Sequence, residues 1–131
     1  MHTNSEFDAS VSESSEVSEK SKIYSSLFYS LCFVLILWIV HFIQWSLQSD
    51  FGKYGVLPRE VKGLSGIFTA PLIHGDLDHL ISNSLTLLIL LFGLFYFYRT
   101  SSLTVIILTY LVSGLMVWVI GRRSYHIGAS G

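Results

Sequence analysis

The sequence predicts an all-α fold in which several helices cross a lipid bilayer. Three apolar runs carry that expectation, at about residues 23–47, 77–98 and 103–121. At 1.5 Å per residue each is long enough for a hydrocarbon core of about 30 Å. The polar coat is also thin: charged residues make up 13% and hydrophobic residues 51%, with a mean hydropathy of +0.57, whereas a soluble domain carries roughly 25% charged residues. A formal net charge of −1 gives no sign of a nucleic-acid surface, so no nucleic-acid partner is expected. One cysteine, Cys32, lies within an apolar run. It excludes a disulfide framework and a cysteine metal site and reads as a small buried hydrophobe.

Residues 1–22 form a Ser-rich, acidic tail with Glu6, Asp8, Glu13, Glu16 and Glu19, followed by Lys20 and Lys22. Too little apolar surface is available there for the segment to order itself. It is not a signal peptide, because the positive charges follow an acidic stretch and no small-residue cleavage site comes after the apolar run. The first span, 23–47, has Tyr24, Phe28 and Tyr29 near one end and Phe42 and Trp45 near the other, an interfacial aromatic pattern. Within it His41, Gln44 and Gln48 share one helical face, which either faces protein or a wet cavity or lies close to the interface.

A connector follows over 49–75, with Gly52, Gly55, Gly63 and Gly66, then Gly75, and with Pro58 and Pro71. Its stretch 64–72 is apolar enough to dip into the interface. The second span ends in Phe92, Phe95, Tyr96, Phe97 and Tyr98, closed by Arg99. The connection 99–102 is so short that the third span must return antiparallel beside the second. Ser113, Gly114 and Gly121 are small residues of the kind that let membrane helices approach closely. Charge does not set the orientation: with the N-terminus inside, Lys53, Arg59, Lys62, Arg122 and Arg123 fall outside, against the positive-inside rule.

Polar residues that a membrane helix retains are the place to look for chemistry. The second span opens through His74, Asp76, Asp78, His79 and Asn83. His79 and Asn83 are i, i+4 and project from one face, a stripe continued by Thr86, Leu90, Gly93 and Phe97. An imidazole N–H beside a carboxamide N–H can stabilise negative charge developing on an oxygen; the same pair can equally do no more than tie neighbouring helices together. Metal binding is not expected. His74 and His79 stand five positions apart, roughly 140° around a helix, and lack the H-E-x-x-H arrangement. At the other end, Gly128-Ala129-Ser130-Gly131 sets a serine among small residues at the mouth of a fourth span beginning near 126. No strand-to-helix elbow surrounds it, and as a nucleophile Ser130 needs a general base within reach.

The ordered set His74, His79, Asn83, a further span, then Gly128-x-Ser130-Gly131 resembles the rhomboid family of intramembrane serine proteases, over about residue 49 to the end. The resemblance implies a rhomboid-like six-helix core. It implies Ser130 as the nucleophile that attacks a peptide bond of a membrane-anchored protein substrate in the bilayer. It implies His79 and Asn83, with the Ser130 backbone N–H, as the oxyanion hole. Gly128 matches the small residue that lets the serine helix pack, and His74 a histidine with a structural role. No cofactor is implied.

The family's base is a histidine on a later span that this chain does not contain, and His126, four residues before Ser130, has nothing in the sequence to orient it as a substitute. The connector also lacks the Trp-Arg-bearing loop of many relatives, so lateral substrate access is expected to differ. The 131-residue chain is accordingly expected to be the front part of a multi-pass protease of the cell (inner) membrane, inactive as this fragment. The alternatives are a rhomboid-like pseudoprotease that binds membrane clients, and a small transporter or structural membrane protein with a chance motif.

Overall fold

A computed structural model of the chain describes residues 3–129, with side chains from residue 13 onward. Helix α1 spans Thr3–Ser46. A connector follows, with two 3-10 turns (Gly52–Tyr54, Val61–Gly63), the one-turn helix α2 (Gly66–Thr69) and a third 3-10 turn (Ala70–Leu72). Helices α3 (Leu77–Phe97) and α4 (Ser102–Ile120) complete the bundle. Three stretches are long and apolar enough to cross a membrane: Glu13–Ser46, Leu77–Phe97 and Ser102–Ile120. The protein is an integral, multi-pass membrane protein, all-helical as the sequence predicts.

Where composition gives residues 1–22 no order of their own, the helix of α1 runs back to Thr3. Helix propagation from an existing turn is cheap next to nucleation, and pairs one turn apart support it: Lys20–Glu16 at 2.7 Å and Lys22–Glu19 at 2.6 Å. At 1.5 Å per residue α1 is about 66 Å long, roughly twice the hydrocarbon thickness, so its polar N-terminal part stands outside the bilayer. The chain order then puts the connector and residues 121–129 at one membrane face and the 98–101 turn at the other.

Helix α1 lies along α3. Leu37 and Leu80 are fully buried there, Tyr29 meets Phe95 at 5.6 Å between ring centroids, and the Trp38 indole N–H donates to the Ser84 hydroxyl at 3.0 Å. Lipid tails are as apolar as leucine, so contacts of this kind, rather than a hydrophobic drive, hold membrane helices together. Helix α4 has a different partner. Gly114 faces Ile67 of α2, and Val117 and Trp118 pack on the small core of Val56, Ile67 and Ala70. The Tyr110 hydroxyl donates to the Phe68 carbonyl and the Trp118 indole to the Glu60 carbonyl at 3.0 Å. Arg59, in the left-handed region at φ 61, is held there by its N–H to the Trp118 carbonyl at 3.0 Å and its guanidinium to the Gly121 carbonyl at 3.1 Å. The connector is therefore a folded platform across the ends of the spans. Between α3 and α4 lies an apolar cavity of about 330 Å³, walled by Leu87, Leu91 and Leu94 on one side and Val105, Thr109 and Ser113 on the other.

Gly66 is where this platform tolerates no side chain: a Cβ there would sit 2.2 Å from the Gly55 carbonyl oxygen and 2.5 Å from the Val56 nitrogen. Backbone atoms cannot swing aside as a side chain does. Gly66→Ala should destabilise the complete protein by about 1–3 kcal/mol, read as a lowered thermal midpoint in detergent. An unchanged midpoint would contradict the close approach.

Candidate functional site

The site begins with the way α3 starts. Asp76 is its N-cap, in extended geometry, and its carboxylate accepts the His79 backbone N–H at 2.8 Å. Such a cap satisfies one of the orphan donors of the first turn, and Asp78 adds a carboxylate where the helix dipole favours one. This fixes the phase of the helix, so His79 and, one turn on, the buried Asn83 come off the same face.

The segment after α4 returns to this face. His126 and Val56 exchange both backbone hydrogen bonds at 2.9 Å, and the Gly128 N–H donates to the Ala70 carbonyl at 2.8 Å. The connector thus receives the returning chain. Gly128 has φ +93, a conformation that glycine adopts at no steric cost. A Cβ on it would lie 2.5 Å and 2.7 Å from ring atoms of His79 and 3.5 Å from the Asn83 amide nitrogen. Gly128 therefore packs against the His79 ring with the Asn83 amide close beside it, and Ala129 reaches the wall of the apolar cavity between α3 and α4. Ser130 and Gly131 lie outside the described residues.

Polar groups crowd this region. The Asn83 amide nitrogen is buried with no hydrogen-bond partner among the described residues. His74 is fully buried, neither ring nitrogen has a partner of hydrogen-bond geometry among the described residues, and its ring meets His79 edge-on at 5.2 Å. Burial pushes the His74 imidazole below its usual range, because a charged ring would lose its hydration there. From α1, His41 and Gln44 line a cleft of about 530 Å³ beside Gly75, Asp76 and Leu77; Gln48, expected on the same helical face, lies beyond the helix end at Ser46 in a turn with φ 47 and lines the cleft from there. The His126 Nε2 sits 3.1 Å from the Arg122 carbonyl oxygen, and its main chain is held by Val56. Among the described residues no three His, Cys, Asp or Glu side chains gather as a metal site would need.

Sequence reasoning brings out His74, His79, Asn83 and Gly128, and the structure gathers these four. It missed Asp76 as the cap that sets the phase of α3, though an aspartate three residues before His79 is a recognisable helix-start signal. It also missed Val56 and Ala70, which work through backbone groups and have no side-chain signature.

A polytopic helical membrane protein with a histidine and an asparagine gathered against a glycine-rich return segment is the class that fold and site define. The rhomboid domain profile matches residues 61–131, and the chain belongs to the rhomboid family of intramembrane proteases. Uncharacterized proteins of Mycobacterium tuberculosis and Mycobacterium bovis are each 32% identical over 107 residues, covering 77% of this chain and 45% of the relative. One of Mycobacterium leprae is 27% identical, covering 77% and 43%. The chain spans about half the length of the curated relatives it matches. No solved structure gives a significant match.

The lowered affinity of His74 for a proton has a definite sign. The unfolded chain takes up that proton near pH 6.5, whereas the folded chain resists it. The contribution of neutral His74 is therefore complete above about pH 6.5 and is lost as the pH falls below it. The thermal midpoint of the complete protein should drop on acidification through this range, and His74→Leu should flatten the drop even with His41, Asp76 and His79 still present. An equal drop in parent and variant would refute the assignment.

Proposed function

We propose that the complete protein is a serine endopeptidase that cuts membrane-anchored proteins within the bilayer of the cell (inner) membrane. The observation that carries this reading is the contact of Gly128 with His79 and Asn83, which brings the main chain leading into Ser130 against two side chains able to donate to an oxyanion. Asn83 supports it further: a buried amide nitrogen with no partner among the described residues keeps a donor for charge that develops only during reaction, and such preorganised donors are worth most in a dry site.

Ser130 is the nucleophile. Its hydroxyl oxygen attacks the scissile carbonyl carbon, its proton passes to a general base, and the carbonyl oxygen takes the negative charge facing His79 and Asn83. Collapse of the tetrahedral species expels the amine, which takes the proton back, and water then hydrolyses the acyl-enzyme. The base is proposed on a histidine in a segment following residue 131, so the chain as it stands is expected to be inactive. Gly128 and His74 support the geometry without entering the chemistry. The apolar cavity between α3 and α4, which Ala129 already lines, is where the helix carrying Ser130 would lodge.

A fluorophosphonate probe on the complete protein separates this reading from a client-binding pseudoprotease. Labelling should occur at Ser130 and vanish in Ser130→Ala, and Asn83→Ala should slow cleavage of a membrane-anchored reporter by on the order of 10²–10³. A folded complete protein that takes no label would favour the pseudoprotease.

A further inference from the structure

At the membrane face opposite the connector, a pocket lies outside everything the proposed proteolysis uses. It measures about 330 Å³ and is lined by Ser25, Ser26 and Tyr29 of α1, by Phe95 and Arg99, and by Ser102 at the start of α4.

Arg99 is the fixed cation of this pocket and has no ion pair among the described residues; its guanidinium reaches only the Ser25 hydroxyl, at 3.4 Å. The nearby acid is already engaged, since Glu19 takes Lys22 at 2.6 Å and the Tyr96 hydroxyl at 2.9 Å. Ser26 is 2% exposed, and its hydroxyl makes no hydrogen bond among the described residues. That sets it apart from Ser30, the other buried serine of its helix. Ser25 donates back to the Ser21 carbonyl at 2.8 Å and Ser30 to the Ser26 carbonyl at 2.7 Å, the ordinary way a helical serine satisfies itself. A buried hydroxyl left without a partner at a cavity wall calls for one from the cavity. The start of α4 adds to it. Ser101 makes no side-chain cap, and the Ser102 hydroxyl is spent on the Arg99 carbonyl at 2.9 Å. The first-turn N–H groups thus lack a side-chain acceptor, at the positive end of the helix dipole.

A guanidinium, a free hydroxyl and an uncapped helix start converging on one cavity suit a tetrahedral oxyanion. The pocket sits where spanning helices end, at headgroup depth, and its rim is apolar and outward-facing, with Tyr29 50% and Leu103 66% exposed. We propose that this pocket binds the phosphate group of an anionic membrane lipid, with Arg99 as charged partner, Ser26 and the α4 N–H groups as donors, and Tyr29 and Leu103 against the acyl chains.

Native mass spectrometry of the complete protein, released from detergent with phosphatidylglycerol or with diacylglycerol of the same chains, tests this. Phosphatidylglycerol should be retained and diacylglycerol not. Arg99→Gln should weaken retention roughly tenfold or more and Ser26→Ala about fivefold; the second variant removes only an unbonded hydroxyl and should leave the fold intact. Millimolar inorganic phosphate should not displace the lipid. Equal retention of the two lipids, or retention unchanged in Ser26→Ala, would overturn the proposal. Displacement by phosphate alone would overturn the lipid as its source.

Discussion

The backbone pair between Val56 and His126 is the constraint on which the site depends. Residues 121–129 leave α4 through a polar turn rich in small residues, and little in such a segment fixes its course. Two hydrogen bonds with Val56 and one from Gly128 to the Ala70 carbonyl turn it back across the connector, and only then does Gly128 arrive against His79 and Asn83. An extended pair of this sort cannot pass through the hydrocarbon core unless its backbone groups are satisfied within the protein. Here the connector satisfies them, which is why a folded loop of 3-10 turns stands where a plain linker would join two spans.

The same connector ties the two halves of the bundle together. Helices α1 and α3 hold each other through Leu37, Leu80 and the Trp38–Ser84 bond, whereas α4 is held by α2 and by indole, phenol and guanidinium bonds to connector carbonyls. A cavity of about 330 Å³ remains between α3 and α4. Packing thus leaves a slot beside the candidate oxyanion donors, and the chain leading to Ser130 stands at its edge. The buried nitrogens of His74 and Asn83, without a partner of hydrogen-bond geometry among the described residues, belong to this arrangement. Each costs stability, and they concentrate at one end of α3.

Much of this was legible from residue order. Runs of apolar residues gave three helices long and apolar enough to cross a membrane, because bilayer thickness sets a minimum helix length. The i, i+4 spacing of His79 and Asn83 gave their common face, because helical periodicity is rigid. Less legible was anything that depends on backbone bonds between distant segments. Val56 and Ala70 receive the return of His126 and Gly128 through N–H and C=O groups that every residue carries. The helical course of residues 3–22 was equally hidden: composition reports whether a segment can bury itself, not whether a neighbouring helix will propagate into it. The unbonded Ser26 hydroxyl stands out only beside the self-satisfied Ser25 and Ser30.

The most direct test joins the two segments covalently. An antiparallel hydrogen-bonded pair places its Cα atoms about 5.5 Å apart, inside the range a disulfide spans. In the complete protein carrying Cys32→Ser, the pair Val56→Cys and His126→Cys should therefore close a disulfide under mild oxidation and keep fluorophosphonate labelling at Ser130. Failure to close, or closure that abolishes labelling while the protein stays folded, would mean that the return segment takes another course and that Gly128 owes its place to something else.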